Sequence, residues 1–437
     1  MKTVIMAGGK GSRISELFPD IPKPLIPIDG IPVLERELIS LRDQGFQDII
    51  ITVSHLKDKI IEYFGDGSGI SPTTGKPFDI RIEYFEEDVP LGNAGALFKL
   101  KDKLTEDFLL LNADAVFDID FQKFVKFHKE HGGLVTIFTH PNSHPYDSGL
   151  VVANSNHQVE SWLIKEENRP RYYHNRVNAG LHVLSPQILE NFEIDSSSIG
   201  RKDKNGVIIK VDLDRNILKP LAGSGRMYCY DSPEYVKDMG TPQRFKAVEA
   251  DYINGVIRAK NLRHPQKAIF LDRDGTINKY IGFLRSPAQF ELIPGVAEAI
   301  KRINQSGYLA IVVTNQPVIA RGEVTIEGLD LIHKKMETFL GKEGAFLDGV
   351  YFCPHHPDKG FEGEVPELKI NCECRKPKAG LFRTAAEDLN IDLSKSYMIG
   401  DSDIDVEAGK RAGCKSLKID QNRSYALLEA VNAIITQ

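Results

Sequence analysis

The chain has 437 residues, a length that accommodates about two to three domains with several buried cores. Its 55 Lys+Arg against 61 Asp+Glu leave a formal charge of −6, which excludes a global basic footprint for nucleic acid. An apolar share of 41% with 27% charged residues is the balance of folded domains and argues against disorder. No stretch of about 18 apolar residues marks a membrane span, and the apolar run before Gly8 is too short for a secretory leader, so a cytoplasmic location is expected.

In chain order, residues 2–7, 48–54, 80–85 and 107–112 read as buried strands. Between the first two, Pro32 opens a helix whose Leu34, Leu38 and Leu41 share a face, and Gly45 closes it. A second alternation of strands and helices covers 267–272, 308–314, 348–353, 396–401 and 414–419. In it, Val296, Ile300 and Ile303 line one face of a helix after Pro294. The basic, weakly patterned stretch 251–266 separates the two series. The expected division is therefore 1–250, a linker at 251–266, and 267–437, two unrelated α/β domains and not a repeat.

The first strand runs into Ala7-Gly8-Gly9-Lys10-Gly11-Ser12-Arg13. A glycine-rich turn after a parallel strand lets backbone N–H groups approach phosphates, although a tight turn needing positive φ is the plain alternative. Lys23 is held between Pro22 and Pro24, and with Arg13 it suits a polyanion. Asp114 ends an apolar strand, where ligands of open parallel sheets bind, and Asp238 offers a second hard-cation ligand; a turn or helix cap is the plain reading of either. Together with the segments 91–97 (LGNAGAL), 178–180 (NAG) and 237–242 (KDMGTP), these motifs resemble the sugar-1-phosphate nucleotidyltransferases over roughly residues 1–245. The resemblance implies a Rossmann-like domain. In it Gly8, Gly9, Gly11 and Arg13 hold the nucleotide, Lys23 meets the reacting phosphates, Asp114 and Asp238 hold Mg²⁺, and Asn178 and Gly180 line the sugar pocket. Segments 139–151 and 211–221 look most like the branch that makes GDP-activated heptose. Ala113 stands where the family has glycine, and Lys165-Glu166-Glu167 stands where it has a Glu-Lys pair.

In the second half, Asp272 and Asp274 follow an apolar strand at i, i+2 spacing, so both carboxylates reach one phosphate, one as nucleophile and the other as acid/base. Thr314-Asn315-Gln316, Arg375-Lys376 and Gly400-Asp401 follow in order. This set resembles the haloacid dehalogenase superfamily and implies a Rossmannoid fold. The resemblance makes Asp272 the nucleophile and Asp274 the acid/base. Thr314, Asn315, Gln316, Arg375 and Lys376 would serve the substrate, with Lys378 as rival to Lys376. Mg²⁺ would sit on Asp272, Asp401 and the Asp274 carbonyl, and Asp405 would steady it or cap a helix. Only 40 positions separate Asp274 from Thr314, which leaves no room for a large cap.

Cys353, His355, Cys372 and Cys374 form a C-x-H-x16-C-x-C pattern that fits tetrahedral Zn²⁺ in a closed, structural site, with His356 as the alternative imidazole. Cys229 and Cys414 read as core residues. The zinc pattern with its flanking motifs resembles the heptose 1,7-bisphosphate 7-phosphatases and the histidinol-phosphatases, with Pro317-Val318 replacing their usual Ser-Gly.

The fusion carries its own chemistry. A transferase that consumes a sugar 1-phosphate is starved by a phosphatase acting at the anomeric carbon, so the expected substrate is a sugar 1,n-bisphosphate. With the resemblance, that is heptose 1,7-bisphosphate, followed by GMP transfer from GTP. Mannose 1-phosphate or ATP in place of these, and a silent transferase-like sensor, are the alternatives. The expected partners are sugar phosphates and a nucleoside triphosphate, with no nucleic acid and no membrane. Oligomeric state is not legible.

Overall fold

The computed structural model describes residues 1–9, 13, 14, 16–113, 115–164, 169–192 and 194–436. It resolves into two compact units. The first comprises 1–139, 151–163 and 178–257; the second comprises 140–150, 164–177 and 258–437.

The first unit is built on a mixed sheet. Seven of the sheet's nine described strands run in the order Arg81–Glu86, Asp48–Val53, Thr3–Met6, Phe108–Asn112, Val177–Leu184, Leu150–Ala153 and Val159–Leu163, and Val135–His140 and Met227–Asp231 branch from Val177–Leu184. Thr3–Met6 lies parallel to both of its neighbours, and Val177–Leu184 turns antiparallel to Phe108–Asn112. The helix Val33–Asp43 begins directly after Pro32, buries Leu34, Leu38 and Leu41, and is followed by Gly45 at φ +87°. A separate two-stranded ribbon pairs Ala115–Asp118 with Tyr235–Asp238, with Asp238 opposite Ala115.

The second unit centres on five parallel strands in the order Gly349–Cys353, Tyr308–Asn315, Lys267–Leu271, Tyr397–Gly400, Lys415–Lys418. Period-two alternation assigns each side chain to one of two cores. Ile269, Leu271, Ala310 and Val312 pack under Val296, Ile300, Ile303, Ile332 and Met336, while Phe270, Ile311 and Val313 pack on the other face against Phe382 and Ala385. Phe270 and Phe382, both fully buried, lie with ring centroids 4.8 Å apart. The chain leaves the middle strand, Lys267–Leu271, toward both edges, which makes that strand's carboxyl end the ligand crevice of such a sheet. The fold is α/β throughout, and the short Asp274-to-Thr314 connection carries no cap domain.

Residues 251–266 are not a bare tether. The helix Pro242–Ile253 runs into them, Val256–Ala259 is helical again, and Val256, Ile257, Lys260 and Asn261 are buried. The segment before Val177 packs within the second unit on the helix Ile326–Lys342. His174 sits 2.7 Å from Asp330 and 2.8 Å from Glu337, and the Asn175 N–H donates to Glu337 at 2.8 Å. Burial opposes the charge on His174, but the two carboxylates outweigh it and push its pKa up to about 9. Among the described residues, no helix is long and apolar enough to cross a membrane.

Candidate active sites

A cavity of about 620 Å³ opens in the first unit, lined by Gly8, Gly9, Arg13, Lys23, Asn93, Asn112, Lys210 and Gly240 among others. Gly8 and Gly9 follow the strand Thr3–Met6, and neither has positive φ. A Cβ on Gly9 meets nothing within 4 Å, and one on Gly8 comes no nearer than 3.6 Å to Glu87 and Ser54. The protein's own packing therefore does not demand glycine at either position. Gly11 lies outside the described residues.

Pro22 and Pro24 hold Lys23 in one short 3₁₀ turn, Lys23–Leu25. Its ammonium lies 3.6 Å from Asp238 Oδ1. Gly240 is where the cations converge, since a Cβ there would stand 2.9 Å from Asp238 Oδ1, 3.4 Å from Lys23 Nζ and 3.5 Å from Arg13 Nη2. Asp238 also accepts from the Gly240 N–H at 2.5 Å and pairs with Arg244. Burial pushes its carboxyl up, but Lys23, that N–H and Arg244 hold it below the usual range. Asp114, the expected metal partner of Asp238, and Lys165-Glu166-Glu167 lie outside the described residues.

Asn178 and Gly180 are not among the residues lining this cavity. Asn178 Oδ1 accepts from the Gly180 N–H at 3.0 Å. Gly180, at φ +76°, borders the cavity through Asn112, whose Nδ2 would lie 2.6 Å from a Cβ. Sequence reasoning missed Lys210. It reaches the cavity because the 91–97 motif pins the segment after it. Val211 N–H donates to Leu91 at 2.9 Å, Ala94 N–H donates to Val211 at 3.0 Å, and Leu213 N–H donates to Asn93 Oδ1 at 2.7 Å. Nothing local in the sequence announces a contact spanning more than a hundred residues.

In the second unit, Asp272, Asp274, Thr314, Asn315, Gln316, Arg375, Lys376 and Asp401 all line one cavity of about 490 Å³. Its floor is made by the carboxyl ends of three adjacent strands, which deliver Asp272, Thr314 and Asp401. Lys376 is 3% exposed, and its ammonium lies 2.8 Å from Asp272 Oδ1, 2.5 Å from Asp405 Oδ1 and 2.9 Å from the Val313 carbonyl. Burial disfavours its charge, but the two carboxylates hold its pKa above the ordinary value. Lys378 instead reaches the Cys372 carbonyl and Glu373 at the edge of the cysteine loop. Asn315 spends its amide on the backbone of Lys376, donating to its carbonyl at 3.1 Å and accepting from its N–H at 3.0 Å.

Burial pushes Asp272 up, with Lys376 pulling it down and Asp405 and Asp274 adding to the rise. Asp274 goes the other way. Burial would raise it, but Arg273, Asn278 and Gln316 hold it low by charge and hydrogen bonds. Asp272, Asp401 and Asp405 bring carboxylate oxygens within 4.8 Å of one another. Lys376 offsets part of the charge of Asp272 and Asp405, and an all-oxygen set of three carboxylates with one ammonium suits a hard cation. Asp405 also caps the helix Asp403–Ala412 in a reciprocal pair with Ser402, as the capping reading expects, and grips Lys376. Gly275 has φ +83°, and a Cβ there would collide with Asp401 Oδ2. Gly275→Ala should therefore displace the Asp401 carboxylate and weaken divalent-cation binding at this cluster by about tenfold or more, as read from a cation titration.

Cys353, His355, Cys372 and Cys374 cluster with all four ligand atoms within 4.8 Å of one another and neighbouring pairs 3.1–3.6 Å apart. A tetrahedron with metal–sulfur bonds of about 2.3 Å has edges of about 3.8 Å, so the four could hold a metal with slight expansion. His356 is outside the cluster, its Nδ1 accepting from the Asp358 N–H at 3.2 Å. The loop returns directly into Arg375, whose guanidinium donates to the His355 carbonyl at 3.2 Å. Cys229 and Cys414 are buried and lie outside this cluster.

Residues 2–254 match the nucleotidyl transferase family, and residues 373–427 match the HAD-hydrolase-like family. The D-glycero-beta-D-manno-heptose-1,7-bisphosphate 7-phosphatase of Haemophilus ducreyi is 44% identical over 152 residues, 35% of this chain and 81% of that protein. Among solved structures, HddC from Yersinia pseudotuberculosis is 24% identical, with TM-score 0.46 over 57% of this chain and 99% of that one. The D,D-heptose 1,7-bisphosphate phosphatase of B. bronchiseptica, in complex with magnesium and phosphate, is 34% identical, with TM-score 0.32 over 38% of this chain and 87% of that one. The chain belongs to the nucleotidyl transferase family through its first half and to the heptose-bisphosphate phosphatase family through its second. It is thus an enzyme with a transferase half and a phosphatase half.

Proposed function

We propose that the chain removes the 7-phosphate of D-glycero-D-manno-heptose 1,7-bisphosphate and then transfers GMP from GTP to the heptose 1-phosphate, giving GDP-heptose and pyrophosphate. The observation that carries this reading is the convergence of Asp272, Asp274 and Lys376 in one cavity of a half that is 44% identical to such a phosphatase, fused to a nucleotidyl transferase.

In the phosphatase half, Asp272 attacks the phosphorus of the 7-phosphate, the P–O7 bond breaks, and an aspartyl-phosphate forms. Arg273, Asn278 and Gln316 favour the carboxylate form of Asp274, and its proton arrives with the substrate phosphate, whose second ionisation lies at about 6. Asp274 passes that proton to O7. It then takes one from water, which attacks the aspartyl-phosphate; inorganic phosphate leaves with that proton, and Asp272 and Asp274 are both restored as carboxylates. Lys376 offsets the charge of nucleophile and phosphoryl oxygens, and Thr314 donates to the latter. Mg²⁺ held by Asp272, Asp401 and the Asp274 carbonyl would neutralise charge on the phosphoryl group.

In the transferase half, an oxygen of the sugar 1-phosphate attacks the α-phosphorus of GTP and pyrophosphate leaves. The attacking group is already anionic, so the protein's task is to overcome repulsion between two polyanions and align them. Arg13 and Lys23 supply positive charge, Gly8 and Gly9 supply backbone room for the nucleotide, with Gly11 assigned to the same turn by sequence alone, Asn178 and Gly180 serve the sugar, and Asp114 and Asp238 would hold Mg²⁺ to offset charge on the phosphates. Lys23→Ala should lower transferase kcat by about 10²–10³-fold with a smaller change in KM for the sugar phosphate. A change confined to KM would place Lys23 away from the reacting phosphate.

The metal at Cys353, His355, Cys372 and Cys374 is Zn²⁺ in this reading, and thiolates kept free for it suit a reducing cytoplasm. Phosphorus NMR of the first product tests the whole proposal. Heptose 1-phosphate is expected, converted to GDP-heptose on addition of GTP and Mg²⁺. Heptose 7-phosphate, or turnover only with mannose 1-phosphate or ATP, overturns it.

A further inference from the structure

Resting on the acid/base role proposed for Asp274, we infer that Arg273 and His333 are positioning residues that hold the Asp274 carboxylate in working orientation from behind the phosphatase cavity. Neither is among the residues lining that cavity, so both act through Asp274.

Arg273 is completely buried, 0% exposed, between the two motif aspartates. A buried guanidinium is costly unless its donors are met by acceptors. Its Nε and Nη2 donate to Asp274 Oδ1 at 3.2 and 3.0 Å, and Nη2 also donates to Oδ2 at 2.8 Å. Nη2 donates further to Gln316 Oε1 at 3.0 Å. The remaining nitrogen, Nη1, donates to His333 Nε2 at 3.3 Å. Gln316 closes the ring, since its Nε2 donates to Asp274 Oδ2 at 2.9 Å. The carboxylate is thus fixed by a planar fork whose far side is anchored on another element.

That anchor is the helix Ile326–Lys342. Leu329, Ile332, His333, Met336 and Leu340 form its buried stripe, and the His333 ring stands edge-on to Phe352 at 5.8 Å between centroids. The ring can accept from Arg273 only as the neutral tautomer protonated at Nδ1. Burial, then the facing Arg273 cation, push its pKa down to about 3, so the neutral form persists. Without an acceptor at this position, a buried N–H pair of a cation goes unmet, and the guanidinium turns toward whatever acceptor remains, rotating Asp274 with it.

The test compares His333→Gln, which keeps an oxygen acceptor, with His333→Leu and His333→Phe, which do not. The full chain is assayed on heptose 1,7-bisphosphate and on p-nitrophenyl phosphate, with near-ultraviolet dichroism and metal content as controls on folding. Leu and Phe should each lower kcat by about tenfold or more while KM stays within about twofold, and Gln should restore most of the loss. Unchanged kcat in a folded Leu or Phe variant, a loss confined to KM, or a folded Gln variant as impaired as Leu overturns the inference. If both apolar variants unfold, Gln alone decides, by retaining or losing kcat. The same order is expected on both substrates. Turnover of p-nitrophenyl phosphate alone, with that order intact, would discredit the sugar assignment and leave the network standing.

Discussion

Asp272→Asn is expected to abolish phosphate release from the bisphosphate, by about 10⁴-fold or more, while leaving GMP transfer to supplied heptose 1-phosphate within about twofold of the parent. The substitution removes the attacking oxygen's charge and, with it, the 2.8 Å ion pair to the buried Lys376. Lys376 keeps Asp405 as a partner, so the fold should survive the change. The transferase cavity shares no lining residue with the phosphatase cavity. Paired assays, inorganic phosphate release and pyrophosphate release, read the two activities on one preparation. Loss of both, with the fold retained, would show that the sites are not separate.

Cys372→Ala is expected to take the chain from about one bound Zn²⁺ to none and to lower the melting temperature of the second unit. Three donors are left where a structural site needs four, and zinc binding in such sites is coupled to folding. Structural zinc contributes about 10–16 kcal/mol in small zinc-dependent peptides. A loss of only about 3 kcal/mol here, in a unit of this size, lowers Tm by about 6–12 °C. The first unit's transition should not move. Elemental analysis and calorimetry check both parts, and an unchanged melting profile in a metal-free variant would remove the structural role. Phosphatase activity should fall with the metal, because the loop that carries Cys372 and Cys374 continues directly into Arg375 and Lys376.

Much of this molecule is local and therefore readable along the chain. Strand ends fall within about two residues of those read from the sequence, and for the central strands such as Phe108–Asn112 and Lys267–Leu271 the reason is burial on both faces, which leaves no polar interruption to confuse their limits. The DxD pair, the strand-terminal Thr314 and Asp401, and the C-x-H and C-x-C pairs are each short patterns on one segment. Their chemistry follows from residue type and spacing. His355 over His356 and Lys376 over Lys378 were open or weakly separated in sequence, since neighbours one or two positions apart carry the same group. The structure separates them by direction, sending Lys376 inward to Asp272 and Lys378 outward to Glu373.

What the sequence by itself determined is the set of chemical groups, their order, and the two α/β halves that carry them. Tertiary structure alone decided which groups meet. Lys210 reaches the first cavity only because 91–97 hydrogen-bonds the chain just beyond it. Asn315 lines the second cavity and also bonds the backbone of Lys376, sixty-one positions away. Arg273, a residue without a sequence signal of its own, lies fully buried against His333, sixty positions away. The physical reason is the same in each case. A hydrogen bond between distant segments depends on where two backbones pass one another, and that position is set by the packing of sheet and helix, to which no short stretch of sequence has access.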